Sequence, residues 1–160
     1  MTKKALVAFY SRTGTTRVLA RAVSEVLGCE TEEGFDMKNR LGVFGLLGAA
    51  WDAGFRRTTP IRETGKDPSL YDIVILGTPI WNSRMAPAMR TYISEQRDRL
   101  KEVAFFCTSG GSGQKTAFEE MEELSGKRPI AVLEITKGEV KQKQHGPKID
   151  QFLQAIEAKR

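Results

Sequence analysis

Ala5-Leu6-Val7-Ala8-Phe9-Tyr10-Ser11-Arg12-Thr13-Gly14-Thr15-Thr16 is the stretch that decides the fold. Its first six residues are an apolar run of strand length, and its last six carry four hydroxyls and one glycine. Val18, Leu19, Ala22, Val23, Val26 and Leu27 follow at helical spacing, and Gly28 stands where a helix C-cap would. A buried strand, a polar turn and an amphipathic helix in that order read as the opening of a βαβ unit.

The same alternation continues outward from this unit. A second strand is expected at Cys29 to Glu33, although it is acidic, and Tyr71 to Gly77 reads as a buried strand bounded by Thr78-Pro79. Pro87 suits the first turn of a helix that carries Tyr92 and Ile93 inward. Val103 to Cys107 is a fourth strand, and Ser109-Gly110-Gly111-Ser112-Gly113 leads from it into a helix with Phe118, Met121 and Leu124 inward, ended by Gly126. Ile130 to Ile135 is a fifth strand, and Ile149, Phe152, Leu153 and Ile156 form the stripe of a closing helix. With no repeat or low-complexity tract, residues 1–160 are expected to form a single doubly wound α/β domain. The loops starting at Ser11, Thr78 and Thr108 all follow strands, so they share one rim. In open parallel sheets that rim is where ligands bind.

Composition sets the outer limits. A chain of 160 residues, 40% hydrophobic and 28% charged, can bury an ordinary core without disulfides or metals. No apolar run approaches the roughly 20 residues of a membrane span. The basic start Met1-Thr2-Lys3-Lys4 precedes only a short apolar stretch with no small-residue cleavage site, so a signal peptide is not expected. Cys29 and Cys107 are too few and too far apart for a disulfide framework, which suits a cytoplasmic protein. The net charge of +5 is scattered, as in Lys115 to Lys127 where four Glu intervene, and this argues against nucleic acid.

The first loop can surround a phosphate with hydroxyls and backbone N–H groups, backed by the positive end of a helix dipole. Taken alone, it reads equally well as a hydroxyl-rich helix cap; the convergence of three loops favours the phosphate. Neutral hydroxyls without a lysine suit a terminal phosphate monoester better than a triphosphate. Other chemistries fail on inspection. Lys115-Thr116 follows Gln114 instead of the glycine of a Walker loop, and no Gly-x-Gly-x-x-Gly follows the first strand. Gln114 also occupies the last position of a would-be Gly-x-Ser-x-Gly elbow. No clustered cysteines offer an iron–sulfur site, and the single His145 offers no metal site.

Ser11-x-Thr13-Gly14-x-Thr16, Gly77-Thr78-Pro79-Ile80-Trp81 and Cys107-Thr108-Ser109-Gly110-Gly111 together resemble the three flavin loops of the flavodoxin family. The resemblance covers essentially the whole chain in order and is closest to the short-chain type. It implies a three-layer sandwich around a five-stranded parallel sheet of order 2-1-3-4-5, with flavin mononucleotide (FMN) bound non-covalently. By that resemblance Ser11, Arg12, Thr13, Gly14, Thr15 and Thr16 would bind the phosphate. Thr78, Pro79, Ile80, Trp81 and Asn82 would meet the isoalloxazine ring, and Thr108, Ser109, Gly110, Gly111 and Gly113 would border its pyrimidine side. Trp81, just after the strand-end Pro79-Ile80, is expected to be exposed for ring packing. Arg84 is the nearby cation that would raise the flavin potential, whereas Cys107 is expected to pack at its strand end without reacting.

Two features depart from the family pattern. Typical flavodoxins are acidic and this chain is basic, with a lysine-rich stretch over residues 137–148 after the fifth strand. That stretch reads as a solvated loop, or as a landing site for an acidic redox protein or for the phosphates of NADPH. Residues 41–55 are apolar and hold four glycines, which weakens a helix by about 1 kcal/mol each relative to alanine. They read as a buried second helix, or as a homodimer face or a hydrophobic landing site that can approach the flavin. Two functions are compatible with these residues. One is an electron carrier between redox proteins, with no catalytic residue of its own. The other is an FMN-dependent NAD(P)H oxidoreductase acting on quinone or flavin. The lack of an evident nicotinamide site and of a substrate lid favours the carrier.

Overall fold

Every residue of Ala5–Tyr10 is buried, and side chains alternate across a strand, so this segment must be covered on both faces. The computed structural model describes residues 3–34, 61 and 65–159, and in it this strand, β1, lies inside a parallel sheet. Helix α1 (Thr15–Leu27) follows, then β2 (Glu30–Gly34), β3 (Ile73–Trp81), the short β4 (Arg84–Met85) and α2 (Pro87–Gln96). Next come β5 (Glu102–Ser109), α3 (Gln114–Ser125), β6 (Val132–Thr136), α4 (Lys137–Lys141) and α5 (Gly146–Ala158).

The parallel strands run in the spatial order β2-β1-β3-β5-β6, the doubly wound arrangement expected from the sequence. Register fixes which residues share a face. Phe9 pairs with Gly77 and Gly77 with Phe106, so the odd-numbered residues of β1 and β3 line up with the even-numbered ones of β5. On that face Val7, Phe9, Ile73, Ile75, Ala104 and Phe106 pack under α1 and α5, which supply Leu19, Val23, Phe152 and Ile156. On the opposite face Leu6, Ala8, Tyr10, Val74, Leu76 and Phe105 meet Met89, Tyr92 and Ile93 of α2 and Met121 of α3. Each fully buried side chain of this size contributes about 1.5–3 kcal/mol. The layers are therefore helix, sheet, helix.

The acidic β2 is possible because it is an edge strand whose outer residues remain accessible. Glu30 accepts hydrogen bonds from the Tyr71 hydroxyl at 2.5 Å and the Lys66 ammonium at 2.9 Å, which hold its carboxyl below the ordinary range.

Three details differ from the sequence reading or fall outside it. β3 does not stop at Gly77 but runs on through Thr78, Pro79 and Ile80 to Trp81. There Ile80 pairs antiparallel with Met85 and Trp81 with Arg84, which adds β4 as a sixth strand. Residues 137–148 are not one solvated loop: most of the stretch is helical. Thr136 accepts from the Glu139 N–H at 3.1 Å while Glu139 accepts from the Thr136 N–H at 2.7 Å, a capping box that nucleates α4. The apolar segment 41–55 lies outside the described residues. Among the described residues no helix is long and apolar enough to cross a membrane.

Candidate functional site

The three loops singled out in the sequence lie at the carboxyl ends of β1, β3 and β5, which are adjacent in the sheet. In the first loop, Gly14 takes a left-handed conformation with φ of 100°, which an L side chain rarely adopts. This bends the chain so that the Gly14 N–H donates to the Ser11 hydroxyl at 3.0 Å. Helix α1 then begins at Thr15 with no side chain capping it. Its first-turn N–H groups and dipole make a favourable place for an anion. Thr13 is exposed, and Arg12, Gly14 and Thr15 are half-buried around this helix end.

Thr16 is turned the other way. It is 1% exposed, and its hydroxyl lies 2.7 Å from that of Thr108, which is fully buried at the end of β5. One hydrogen bond thus ties the first loop to the third.

The second loop is a hairpin. Asn82 and Ser83 have φ of 48° and 61°, positive at both central positions as a type I′ turn requires. Thr78 anchors its base: the buried hydroxyl donates to the Pro79 carbonyl and accepts from the Ala86 N–H, both at 2.9 Å. Pro79 is also buried, Ile80 is half-buried, and Asn82 and Ser83 are exposed at the tip. The expected exposure of Trp81 is not found. Only 8% of it is accessible, and its ring meets the Tyr10 ring edge-on with centroids 5.5 Å apart. The reason is the strand extension, which turns Trp81 into the core cluster with Met85 and Met89.

The third loop packs against that hairpin. A Cβ on Gly113 would come within 2.6 Å of the Ser83 Cα, so only glycine allows the approach. Ser109 is buried and accepts from the Gly111 N–H at 3.2 Å, while Gly110, Gly111 and Ser112 are exposed. Helix α3 starts at Gln114, again without a side-chain cap. Cys107, one residue before the Thr108 hydroxyl, is fully buried, and burial together with nearby Glu134 pushes its thiol up to about 12. It packs, as expected, and is far from a reactive thiolate at neutral pH.

Arg84 does not stand as a free cation. It forms an ion pair with Glu120 of α3, whose other oxygen is 3.3 Å from Arg90 of α2. Glu120 and Arg90 are 5% and 6% exposed, so β4, α2 and α3 are joined through a buried carboxylate. The sequence reading missed Glu120. Its spacing from Ala117, Met121 and Leu124 puts it on the inner stripe of α3, the signal that would have found it. It also missed Ser83, because Asn-Ser is a weaker hairpin signal than Asn-Gly.

Outside the loops, Arg17 of α1 is matched by Glu33, with its Nε 3.0 Å from one oxygen and NH2 2.5 Å from the other. That pairing raises the guanidinium pKa above its ordinary value. Beside it, residues 13–15, Val18 and Arg21 face Lys137, Val140 and Lys141 of α4 across a cleft of about 570 Å³. No group of three or more His, Cys, Asp or Glu that could hold a metal occurs among the described residues.

An α/β sheet wound in this order, with hydroxyl and glycine loops gathered at its carboxyl rim, defines the class of flavodoxin-like proteins. A family model described as Flavodoxin domain matches residues 56–158, and the chain belongs to that family. Among solved structures it is similar to a flavoprotein of Lactobacillus acidophilus in complex with FMN, at 25% identity and a TM-score of 0.72, over 88% of this chain and 97% of that one. It shares its fold with a flavodoxin, WrbA-like protein of Agrobacterium tumefaciens (12% identity, TM-score 0.55, 96% of this chain and 99% of that one). It shares it equally with an NADH:FMN oxidoreductase (17% identity, TM-score 0.55, 97% of this chain and 87% of that one). No curated protein matches the sequence.

Proposed function

We propose that residues 1–160 act as one FMN-binding domain that carries electrons between redox proteins. The observation that carries this reading is the uncapped N-terminus of α1 behind the Gly14 turn, flanked by the glycine-rich third loop and the hairpin tip. These residues fit the cofactor. Arg12, Thr13, Gly14 and Thr15, with the first-turn N–H groups of α1, would hold a phosphate monoester. Ile80, Asn82 and Ser83 on one side and Gly110, Gly111 and Gly113 on the other would border the ring. The buried Ser11, Thr16, Thr78, Pro79, Trp81, Thr108 and Ser109 would hold the three loops in register.

FMN, when bound, supplies the one- and two-electron chemistry. The chain's own part is to anchor the phosphate, exclude water from one side of the rim and fix the loops that touch the ring. A family match and the FMN complex of the Lactobacillus acidophilus flavoprotein support the cofactor. Two cysteines, one of them buried, suit a reducing cytoplasm.

The test is the visible spectrum of FMN-loaded protein before and after anaerobic NADPH or NADH. A carrier stays yellow with either nucleotide and bleaches with a chemical reductant or a separate reductase. Rapid bleaching by nucleotide alone would make the protein an NAD(P)H oxidoreductase acting on quinone or flavin. Failure to bind FMN at all would remove both readings.

A further inference from the structure

We propose that the cleft between α1 and α4 is the docking surface for an acidic electron-transfer protein, an inference that rests on reading the chain as an FMN carrier. The cleft begins at the phosphate loop itself, since residues 13–15 form one end of its lining. Its walls carry Arg21 on α1 and Lys137 and Lys141 on α4, all exposed. Its lining also includes two apolar side chains, Val18, 48% exposed, and Val140, half-buried. Exposed cations beside accessible apolar side chains suit a protein interface, which combines desolvated apolar contacts with charged and polar ones.

The sign of the surface follows from what is already paired. Arg17 is matched by Glu33 and Lys148 by Glu139 at 2.8 Å, so these four charges cancel. Among the described residues no carboxylate pairs with Arg21, Lys137 or Lys141. Glu25, one turn further along α1, is the remaining acid of that helix beyond the cleft. The patch is therefore positive and lies next to the loop proposed to hold the FMN phosphate. It complements a partner with clustered carboxylates. A nucleotide phosphate suits it less, because the three unpaired cations are all exposed and none is held rigid by burial. Each encounter moves one electron: the partner's metal centre is oxidised by one unit and the flavin reduced by one. Two encounters, with protons from water, complete the two-electron reduction.

The probe is an acidic [2Fe–2S] ferredoxin, stoichiometrically reduced and mixed by stopped flow with FMN-loaded protein. The triple variant Arg21→Gln/Lys137→Gln/Lys141→Gln keeps its FMN affinity, but its reduction slows about tenfold or more at low ionic strength, and the gap closes at high salt. A second readout does not depend on the flavin: amide resonances of residues 17–21 and 137–141 shift when oxidised ferredoxin is titrated into the protein. Equal rates at low salt, or shifts confined to another face, would overturn the proposal. So would NADPH shifting these resonances when ferredoxin does not, which would assign the cleft to a nucleotide. If FMN fails to bind yet ferredoxin still shifts α1 and α4, the docking surface stands and the carrier reading falls.

Discussion

The hydroxyl of Thr16, in the first turn of α1, lies 2.7 Å from the hydroxyl of Thr108 at the end of β5, and neither is reached by solvent to more than 1%. It is a bond between loops that are 92 residues apart in the chain, and it sets the spacing of the rim. Thr16→Val removes one partner at nearly constant volume and leaves the Thr108 hydroxyl buried and unpaired. The expected cost is about 1–3 kcal/mol. In a chain of this size the melting temperature falls by about 2–4 °C per kcal/mol. The double variant Thr16→Val/Thr108→Val should recover much of that loss, because neither hydroxyl is then orphaned. Thermal melts of the four proteins in the cycle measure the coupling; strictly additive losses would show that the pair contributes nothing as a pair.

A second relationship is steric. A Cβ on Gly77 would stand 2.0 Å from the Cζ of Phe106, so the Phe106 ring occupies the space where a side chain would be. Gly77→Ala must displace that ring from the centre of the sheet, an overpacking expected to cost about 1–3 kcal/mol. Phe106→Leu in the same chain should make the alanine better tolerated than it is alone. Urea titrations of the single and double variants check this, and a Gly77→Ala protein as stable as wild type would refute the packing argument.

Most of the sheet was legible from periodicity, and the rim was not. β1, β3 and β5 announce themselves because strands buried on both faces read as continuous apolar runs, as in Val74, Ile75 and Leu76. Their loops gave away position by following strands. Orientation was hidden: nothing local tells that Thr16 and Thr78 point inward, or that Trp81 turns into the core. Thr16 turns in toward Thr108 of β5, and the Thr78 and Trp81 outcomes depend on the Asn82-Ser83 turn, which folds β4 back on β3 through residues adopting positive φ without glycine. The charge pairs were hidden for the same reason, since Arg84 and Glu120 are 36 residues apart. The helix of α4 was legible in principle, from the Thr136-x-x-Glu139 spacing of a capping box.

Glu120 serves two arginines, and the arrangement predicts unequal effects. Glu120→Gln removes the buried carboxylate that Arg84 and Arg90 share, and breaking a buried pair in this way costs about 3–5 kcal/mol. Arg84→Gln removes a cation whose side chain is 29% exposed and leaves the Arg90–Glu120 pair intact, so its cost should be well below that of Glu120→Gln. Denaturant midpoints of the two variants give the order directly. Equal losses would mean that the Arg90–Glu120 pair adds nothing beyond the Arg84 pair, contrary to its deeper burial.

The two thiols should differ sharply. Cys29 is half-buried and Cys107 fully buried, with its ionisation pushed up to about 12. Iodoacetamide at pH 8 is expected to alkylate Cys29 in the native protein and Cys107 only after denaturant is added. Peptide mass mapping separates the sites, and native labelling of Cys107 would mean that β5 opens locally.

The Lys148 ammonium and the Thr136 N–H hold the Glu139 carboxyl down to about 2 in the folded chain, against an ordinary value of 4.5. A carboxyl depressed on folding stabilises the folded state above its unfolded pKa, and the contribution is lost as pH falls toward the folded one. Glu139 should therefore stabilise the α4 cap fully above about pH 4.5, and progressively less between there and about pH 2. Glu139→Gln can still accept from the Thr136 N–H but cannot pair with Lys148. The variant should be less stable than wild type at pH 6, and the difference should shrink steadily as pH falls toward about 2 and vanish below it. Urea midpoints across that range test the sign: a difference that grows toward acid would mean that the cap is held by something other than the ionised carboxylate.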